Sequence, residues 1–382
     1  MIHTKLFKDF FNSEKSGGFI LIGCTILSII LANSSFGMAY HNVFQYKLAG
    51  MSVEHIINDG LMAIFFLLIG LELEREVYIG ELSNFKDALL PIFGAIGGII
   101  VPACIYTLYN FGTATQSGIG IPMATDIAFA LGILSILGKR VPLSLKIFLT
   151  ALAVIDDLAA IIIIAIFYTK TLVLSYLLFS LAIFALLIIF NRLKVKNIIP
   201  YLIGGVAMWY FMLNSGVHAT VSGVLLAFAI PFGNGDEKST SYILQKFLHK
   251  PVAFFILPIF ALANTIIFLN NNLSSIILEK YSLGIFLGLV LGKPLGILLF
   301  TYLSTRLNLC TIPKDLNWKH ILGVGTLAGI GFTMSIFITL LAFDDVNIIN
   351  NTKLVILASS TVAAIFGYTF LYYTLKNKPI HE

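Results

Sequence analysis

Apolar residues in this chain come in unbroken runs rather than in alternation. Stretches such as Ile161-Ile162-Ile163-Ile164 and Leu181 to Phe190 have no polar face. That fits a helix surrounded by hydrocarbon, not the roughly ten-residue alternating segments of a membrane β-barrel. A helix crossing the hydrocarbon core needs about 20 mainly apolar residues. On that measure the chain divides into twelve spans, near residues 17–36, 58–78, 87–109, 119–138, 143–168, 172–190, 198–214, 217–232, 251–269, 281–304, 320–343 and 353–375. Only Asn214-Ser215-Gly216 separates the seventh from the eighth, and the longest polar stretch, Gly233 to Lys250, leaves no soluble domain. The expected fold is an all-α polytopic membrane protein with twelve transmembrane helices, residues 1–382 forming one integral membrane domain. The charged N-terminal segment (Lys5, Lys8, Asp9, Glu14, Lys15) does not have the form of a cleaved signal peptide.

Composition narrows the function classes. Of 382 residues, 58% are hydrophobic and 11% charged, against about 25% charged in a soluble chain. A water-soluble enzyme, a disordered chain and a nucleic-acid-binding module are excluded. Cys24, Cys104 and Cys310 are far apart and have neither disulfide-framework nor metal-ligand spacing. The basic residues report topology. With a cytoplasmic N-terminus, nineteen of the 24 Lys and Arg fall in inside segments, and only Lys47, Lys170, Lys280 and Lys353 fall outside. This is the bias of the positive-inside rule, and it places both termini in the cytoplasm.

One basic residue fits neither side. Lys293, in Leu291-Gly292-Lys293-Pro294, lies midway along the tenth span, about 17 Å from either end by helical rise and beyond the reach of snorkelling. An ammonium at that depth costs about 2.5–3.5 kcal/mol and calls for an anionic partner, dipole ends or a water-filled cavity. Asp156 and Asp157 sit side by side in the middle of the fifth span. Successive helical positions differ by about 100°, so the two carboxylates splay. Two such groups in a low dielectric do not both ionise cheaply and should titrate as a coupled pair. Carboxylate oxygens also suit hard cations, so the pair can trade protons for Na⁺ or Li⁺.

A third aspartate follows Pro122 and closely spaced glycines in Gly118-Ile119-Gly120-Ile121-Pro122-Met123-Ala124-Thr125-Asp126, which breaks the fourth span. The eleventh span has a parallel in Gly329-Ile330-Gly331-Phe332-Thr333-Met334, offset by 211 positions. Interrupted helices at corresponding places in two halves point to a transporter site near the bilayer midplane. Broken helices expose partly positive N–H ends and partly negative C=O ends. Asp126 is the candidate to compensate the first, Lys293 the second.

Together these motifs resemble the NhaA-type sodium/proton antiporters. The resemblance also takes in Phe65 to Glu72, Ala151 to Tyr168, Gly216-Val217-His218-Ala219-Thr220 and Gly329 to Phe337. It implies inverted-topology repeats and two discontinuous helices, the fourth and eleventh, crossing near the midplane. Asp156 and Asp157 would be the ion-binding, proton-carrying pair, with Thr125 and Asp126 at the crossing and Lys293 bearing on the site. A core bundle (roughly 87–168 and 281–375) would work against a panel (roughly 17–80 and 172–269) that forms a homodimer, assisted by a β-hairpin around Phe44 to Val53. The implied activity is electrogenic, pH-regulated antiport of Na⁺ or Li⁺ against H⁺ in the bacterial inner membrane, with no cofactor and no enzymatic step. Glu72, Arg75, Glu76 and His218 match positions of the family's pH response. The same Glu72 to Glu76 segment also reads as a solvated helix end, and His218 as a structural histidine. Glu74 stands where the family commonly has lysine, and Gln245 near where a sensor glutamate is expected. Asp59, after Asn58, reads most simply as the cap of the second span.

Two other classes are opposed by the same residues. An intramembrane aspartyl protease uses Tyr-Asp and Gly-x-Gly-Asp motifs, and no aspartate here sits in either. A channel or organic-anion symporter anchored on Lys293 is opposed by three acidic residues around one base.

Overall fold

The computed structural model describes residues 2–48, 50–169, 172–268 and 273–375. Lys170, Lys376 and Lys378 of the charge reading, and Ala49 of the hairpin, lie outside them. The chain is helical almost throughout, because backbone N–H and C=O groups in hydrocarbon must be paired within the segment. In order the helices are α1 (Ile2–Ala32), α2 (Gly37–Gln45), α3 (Val53–Tyr78), α4 (Phe85–Asn110), α5 (Ile127–Ile136), α6 (Leu143–Phe167), α7 (Leu174–Arg192), α8 (Ile199–Ser215), α9 (Val221–Ala229), α10 (Thr240–Asn264), α11 (Leu273–Leu278), α12 (Lys280–Arg306), α13 (Trp318–Ala328), α14 (Phe332–Ala342) and α15 (Val346–Leu375).

Among the described residues, eight helical stretches are long and apolar enough to cross a membrane, counting Gln116–Ile136, a 3₁₀ helix followed by α5, as one. Two bent pairs raise the number to ten: α1 with α2, bent by 115°, and α13 with α14, bent by 47°. The expected seventh and eighth spans fall short, since α8 has 17 residues and α9 has 9. Gly216, at φ +86°, ends α8 in the left-handed conformation that glycine adopts without strain. The protein is an all-α, multi-pass membrane protein.

Several boundaries differ from the sequence reading. The helix of the second span begins at Val53, because Ser52 caps it, its side chain accepting from the His55 N–H at 3.1 Å. Asp59 is therefore not a cap. It sits inside the helix, in a π-helical stretch over Ile56–Leu61. The hairpin is reduced to two-residue strands, β1 (Lys47–Leu48) and β2 (Met51–Ser52), paired antiparallel as Lys47 with Ser52 and Leu48 with Met51. The β-prone Val43-Phe44-Gln45 is absorbed into the end of α2. Two further π-helical stretches lie beside prolines: Val252–Ile256 follows Pro251 in α10, and Gly288–Gly292 runs directly into Lys293 and Pro294 of α12. Proline has no N–H to donate to the preceding turn, a common origin of such widening.

The chain forms two compact units. The first comprises residues 1–29, 84–160 and 267–382. Within it α4 and α12 pack at backbone contact: a Cβ placed on Gly97 would lie 2.1 Å from the Gly296 carbonyl oxygen. The second comprises residues 30–83 and 161–266. There α9 lies on α3, with the backbone of Gly223 against the Ala63 carbonyl.

Candidate functional site

All four deeply placed charges of the sequence reading lie in the first unit. A 3₁₀ helix over Gln116–Met123 ends at Ala124, three residues run without helical bonding, and α5 begins at Ile127. Likewise α13 ends at Ala328, and α14 begins at Phe332 after Gly329-Ile330-Gly331. These two breaks are stitched to each other. The Asp126 N–H donates to the Ile330 carbonyl at 2.7 Å, and the Thr125 hydroxyl donates to the Ala328 carbonyl at 3.0 Å. Ser335 donates to the Ile121 carbonyl at 2.7 Å, and the Phe332 N–H reaches the Ser360 hydroxyl oxygen at 3.2 Å. Backbone groups freed by breaking a helix are costly in an apolar interior, so these partners hold the breaks open.

Asp126 serves two helix N-termini at once. Its Oδ1 accepts from the Phe129 N–H at 2.9 Å, capping α5. Its Oδ2 accepts from the Thr333 N–H at 3.0 Å and the Thr333 hydroxyl at 2.6 Å, at the start of α14. A carboxylate there complements the positive end of each helix dipole. Lys293 stands at the opposite polarity. Its ammonium donates to the carbonyl of Met123, the last residue of the 3₁₀ helix, and lies 3.0 Å from Asp156 Oδ2. Both members of that ion pair are fully buried.

Asp156 Oδ2 is the nearer of the two acceptors that share the single Thr125 hydroxyl proton, at 2.7 Å against 3.0 Å for the Ala328 carbonyl. Asp156 Oδ1 and both carboxylate oxygens of Asp157 are buried without a hydrogen-bonding protein group. Three carboxylate oxygens with lone pairs to spare thus sit beside one that is held by a lysine and a threonine. Such a donor set can take protons, or a hard cation, without rearranging the groups that hold it. Among the described residues, no cluster of three or more His, Cys, Asp and Glu side chains has metal-site geometry.

The four residues matched to the pH response lie in the second unit. Glu72 and Arg75 are buried, as is Glu74, so this stretch is not a solvated helix end. Arg75 Nη1 lies 3.5 Å from Gln245 Oε1, and its guanidinium sits 5.0 Å from the centre of the Tyr242 ring. His249 Nδ1 lies 3.9 Å from Glu72 Oε1. Glu76 is less buried, at the turn before the helix ends. His218 Nε2 lies 3.5 Å from Asp59 Oδ1, which is in turn on the same carboxylate that His55 Nε2 approaches at 3.1 Å. Thr220 fixes the other His218 nitrogen at 2.9 Å.

Sequence reasoning passed over Thr333, which supplies two of the three bonds to Asp126. The signal available was weak: a hydroxyl two residues past a glycine at the start of a half-helix. It also passed over Met123, whose contribution is a backbone carbonyl that no residue type announces.

The family model described as Na⁺/H⁺ antiporter 1 matches residues 8–371. A protein of Flavobacterium psychrophilum named Na(+)/H(+) antiporter NhaA is 69% identical over 379 residues, 99% of each chain. Na(+)/H(+) antiporter NhaA 1 of Flavobacterium johnsoniae is 60% identical over 372 residues, covering 97% of this chain and 98% of that one. The Cytophaga hutchinsonii protein named Na(+)/H(+) antiporter NhaA is 60% identical over 379 residues, 99% of this chain and 98% of its own. With the family match covering residues 8–371 and relatives aligned over nearly the whole chain, the chain belongs to the Na⁺/H⁺ antiporter 1 family.

Proposed function

We propose that this protein exchanges cytoplasmic Na⁺ or Li⁺ for external H⁺ by alternating access in the bacterial inner membrane. The observation that carries the reading is the Asp156–Asp157 pair, buried, with three oxygens that no protein group engages. When both carboxylates are deprotonated, the pair has the charge and lone pairs to strip and hold a hard cation. Protons delivered from the other side compete for the same oxygens and release it. Exchange follows from competition, with no covalent step. Lys293 and Thr125 keep Asp156 Oδ2 in place through both states, and Asp126 keeps the two helix starts together.

In this account the short α8 and α9 complete twelve spans, and the breaks at Ala124–Asp126 and Gly329–Gly331 are two discontinuous helices of inverted repeats crossing near the midplane. Both termini face the cytoplasm. The core (roughly 87–168 and 281–375) moves against a panel (roughly 17–80 and 172–269), and the panel and its hairpin form a homodimer. Exchange of more than one proton per cation is electrogenic and draws about 2.3 kcal/mol per elementary charge from each 100 mV. The buried Glu72 and Arg75, with Glu76 and His218, tune activity with pH.

Everted vesicles or proteoliposomes carrying a ΔpH dye test the reading. Addition of NaCl or LiCl should dissipate the proton gradient, and Asp156→Asn or Asp157→Asn should abolish the response. A wild-type protein indifferent to both salts from neutral to mildly alkaline pH overturns it.

A further inference from the structure

The geometry points to the hydroxyl of Thr150 as an additional cation-binding group, an uncharged way station between the N-terminal end of α6 and the carboxylate pair. The inference rests on the antiport reading above. Threonines within helices ordinarily fold their hydroxyl back onto the carbonyl four residues earlier. Thr25, Thr107, Thr301, Thr326, Thr339 and Thr361 all do so here, at 2.6 to 2.9 Å. Thr150 and Thr352 do not, and of the two only Thr150 shares a helix with the carboxylate pair. Thr150 is 7% exposed, and its Oγ1 has no hydrogen-bonding protein group. Burying a hydroxyl in that way is unfavourable, and a retained case calls for a role.

Position supplies one. Thr150 and Asp157 are seven residues apart on α6, which places them on one helical face about 10 Å apart along the axis. The buried α6 oxygens without a protein partner are Thr150 Oγ1, Asp156 Oδ1 and both oxygens of Asp157. Thr150 and Asp157 share one face of the helix, and Asp156 lies about 100° around from that face. The Thr150 end of that face lies toward Lys139, Arg140 and Lys146, the cytoplasmic side in the proposed topology. A cation bound for Asp157 must exchange water for protein oxygens. A neutral hydroxyl two turns ahead lets it begin before reaching full charge, and so raises the affinity of the inward-facing state.

The test measures antiport in proteoliposomes as a function of Na⁺ on the cytoplasmic face, for wild type, Thr150→Val, Thr150→Ala and Thr150→Ser. Val and Ala should raise the apparent KM about three- to tenfold, the fold-change expected for loss of one such polar contact. The maximal rate should stay within about twofold, and Ser should restore the KM. Alanine adds no volume, so it carries the test where valine packs poorly. An unchanged KM in both Val and Ala overturns the role, as does a lowered maximal rate at constant KM, the result expected of a merely structural hydroxyl. A wild type without exchange would instead overturn the antiport reading itself.

Discussion

Replacing Asp126 by asparagine probes the join between the two broken helices. The carboxylate accepts three hydrogen bonds, from the N–H of Phe129, the N–H of Thr333 and the hydroxyl of Thr333. Asparagine keeps one acceptor oxygen and turns the other position into an NH₂ donor. The Thr333 hydroxyl can rotate and accept from it. The two backbone N–H groups cannot, so in either amide orientation one of them faces a donor. A buried unsatisfied donor costs about 1–3 kcal/mol. Losing negative charge at a helix N-terminus costs about 0.3–1 kcal/mol, here at two helices. The expected loss is about 2–4 kcal/mol, a large part of the roughly 5–15 kcal/mol by which folded proteins are stable. Thr333→Val is the control, since it removes only the 2.6 Å hydroxyl bond and spares the backbone bond at 3.0 Å. Its cost should be near 1 kcal/mol. Thermal unfolding of the detergent-solubilised protein, followed by size-exclusion recovery, should rank wild type above Thr333→Val and Thr333→Val above Asp126→Asn. An Asp126→Asn protein that melts with the wild type refutes the two-helix cap.

The Lys293–Asp156 pair should behave as a unit. Lys293→Met leaves a buried carboxylate uncompensated, at about 3–5 kcal/mol, and adding Asp156→Asn should recover much of that stability in a double-mutant cycle; strictly additive losses would contradict the pairing. Gly97→Val should sharply reduce the amount of folded protein recovered from membranes, because even a Cβ would meet the Gly296 carbonyl at 2.1 Å; normal yield and melting would show that α4 and α12 do not pack at backbone contact. Since protons and cation compete for the same oxygens, lowering the pH should raise the apparent KM for Na⁺, by up to about tenfold per pH unit for each competing proton. A KM independent of pH, measured by dye-monitored exchange, would remove the competition.

Hydrocarbon spans are legible in a sequence because their apolar runs are long and unbroken, and Asp126, Asp156, Asp157 and Lys293 stand out because a charge in such a run is conspicuous. Helix starts were less legible. Ser52 moves the start of α3 to Val53, and no hydropathy pattern distinguishes a serine cap from a loop serine. Hydropathy starts the twelfth span at residue 353, whereas α15 starts at Val346 and buries Lys353 within it. Arg75 falls among the cytoplasmic charges by position, yet its guanidinium lies buried over Tyr242. A count of charges along one dimension does not register which of them the fold buries. The site's neutral groups were the hardest to see. Thr150 lies in an apolar run, where a hydroxyl carries little signal. The bonds from Thr333 to Asp126 span 207 positions, a distance only the fold can close.

The central claim is that cation and protons share the oxygens of Asp156 and Asp157. It is tested most directly by proton release on binding, with no membrane and no gradient. Purified protein in weakly buffered detergent solution, with a pH indicator, should acidify the medium when NaCl is added and stay silent with choline chloride. Asp156→Asn and Asp157→Asn, confirmed folded by their melting curves, should release fewer protons or none. Sodium binding that releases no protons from the wild type, or undiminished release from both variants, would contradict the account.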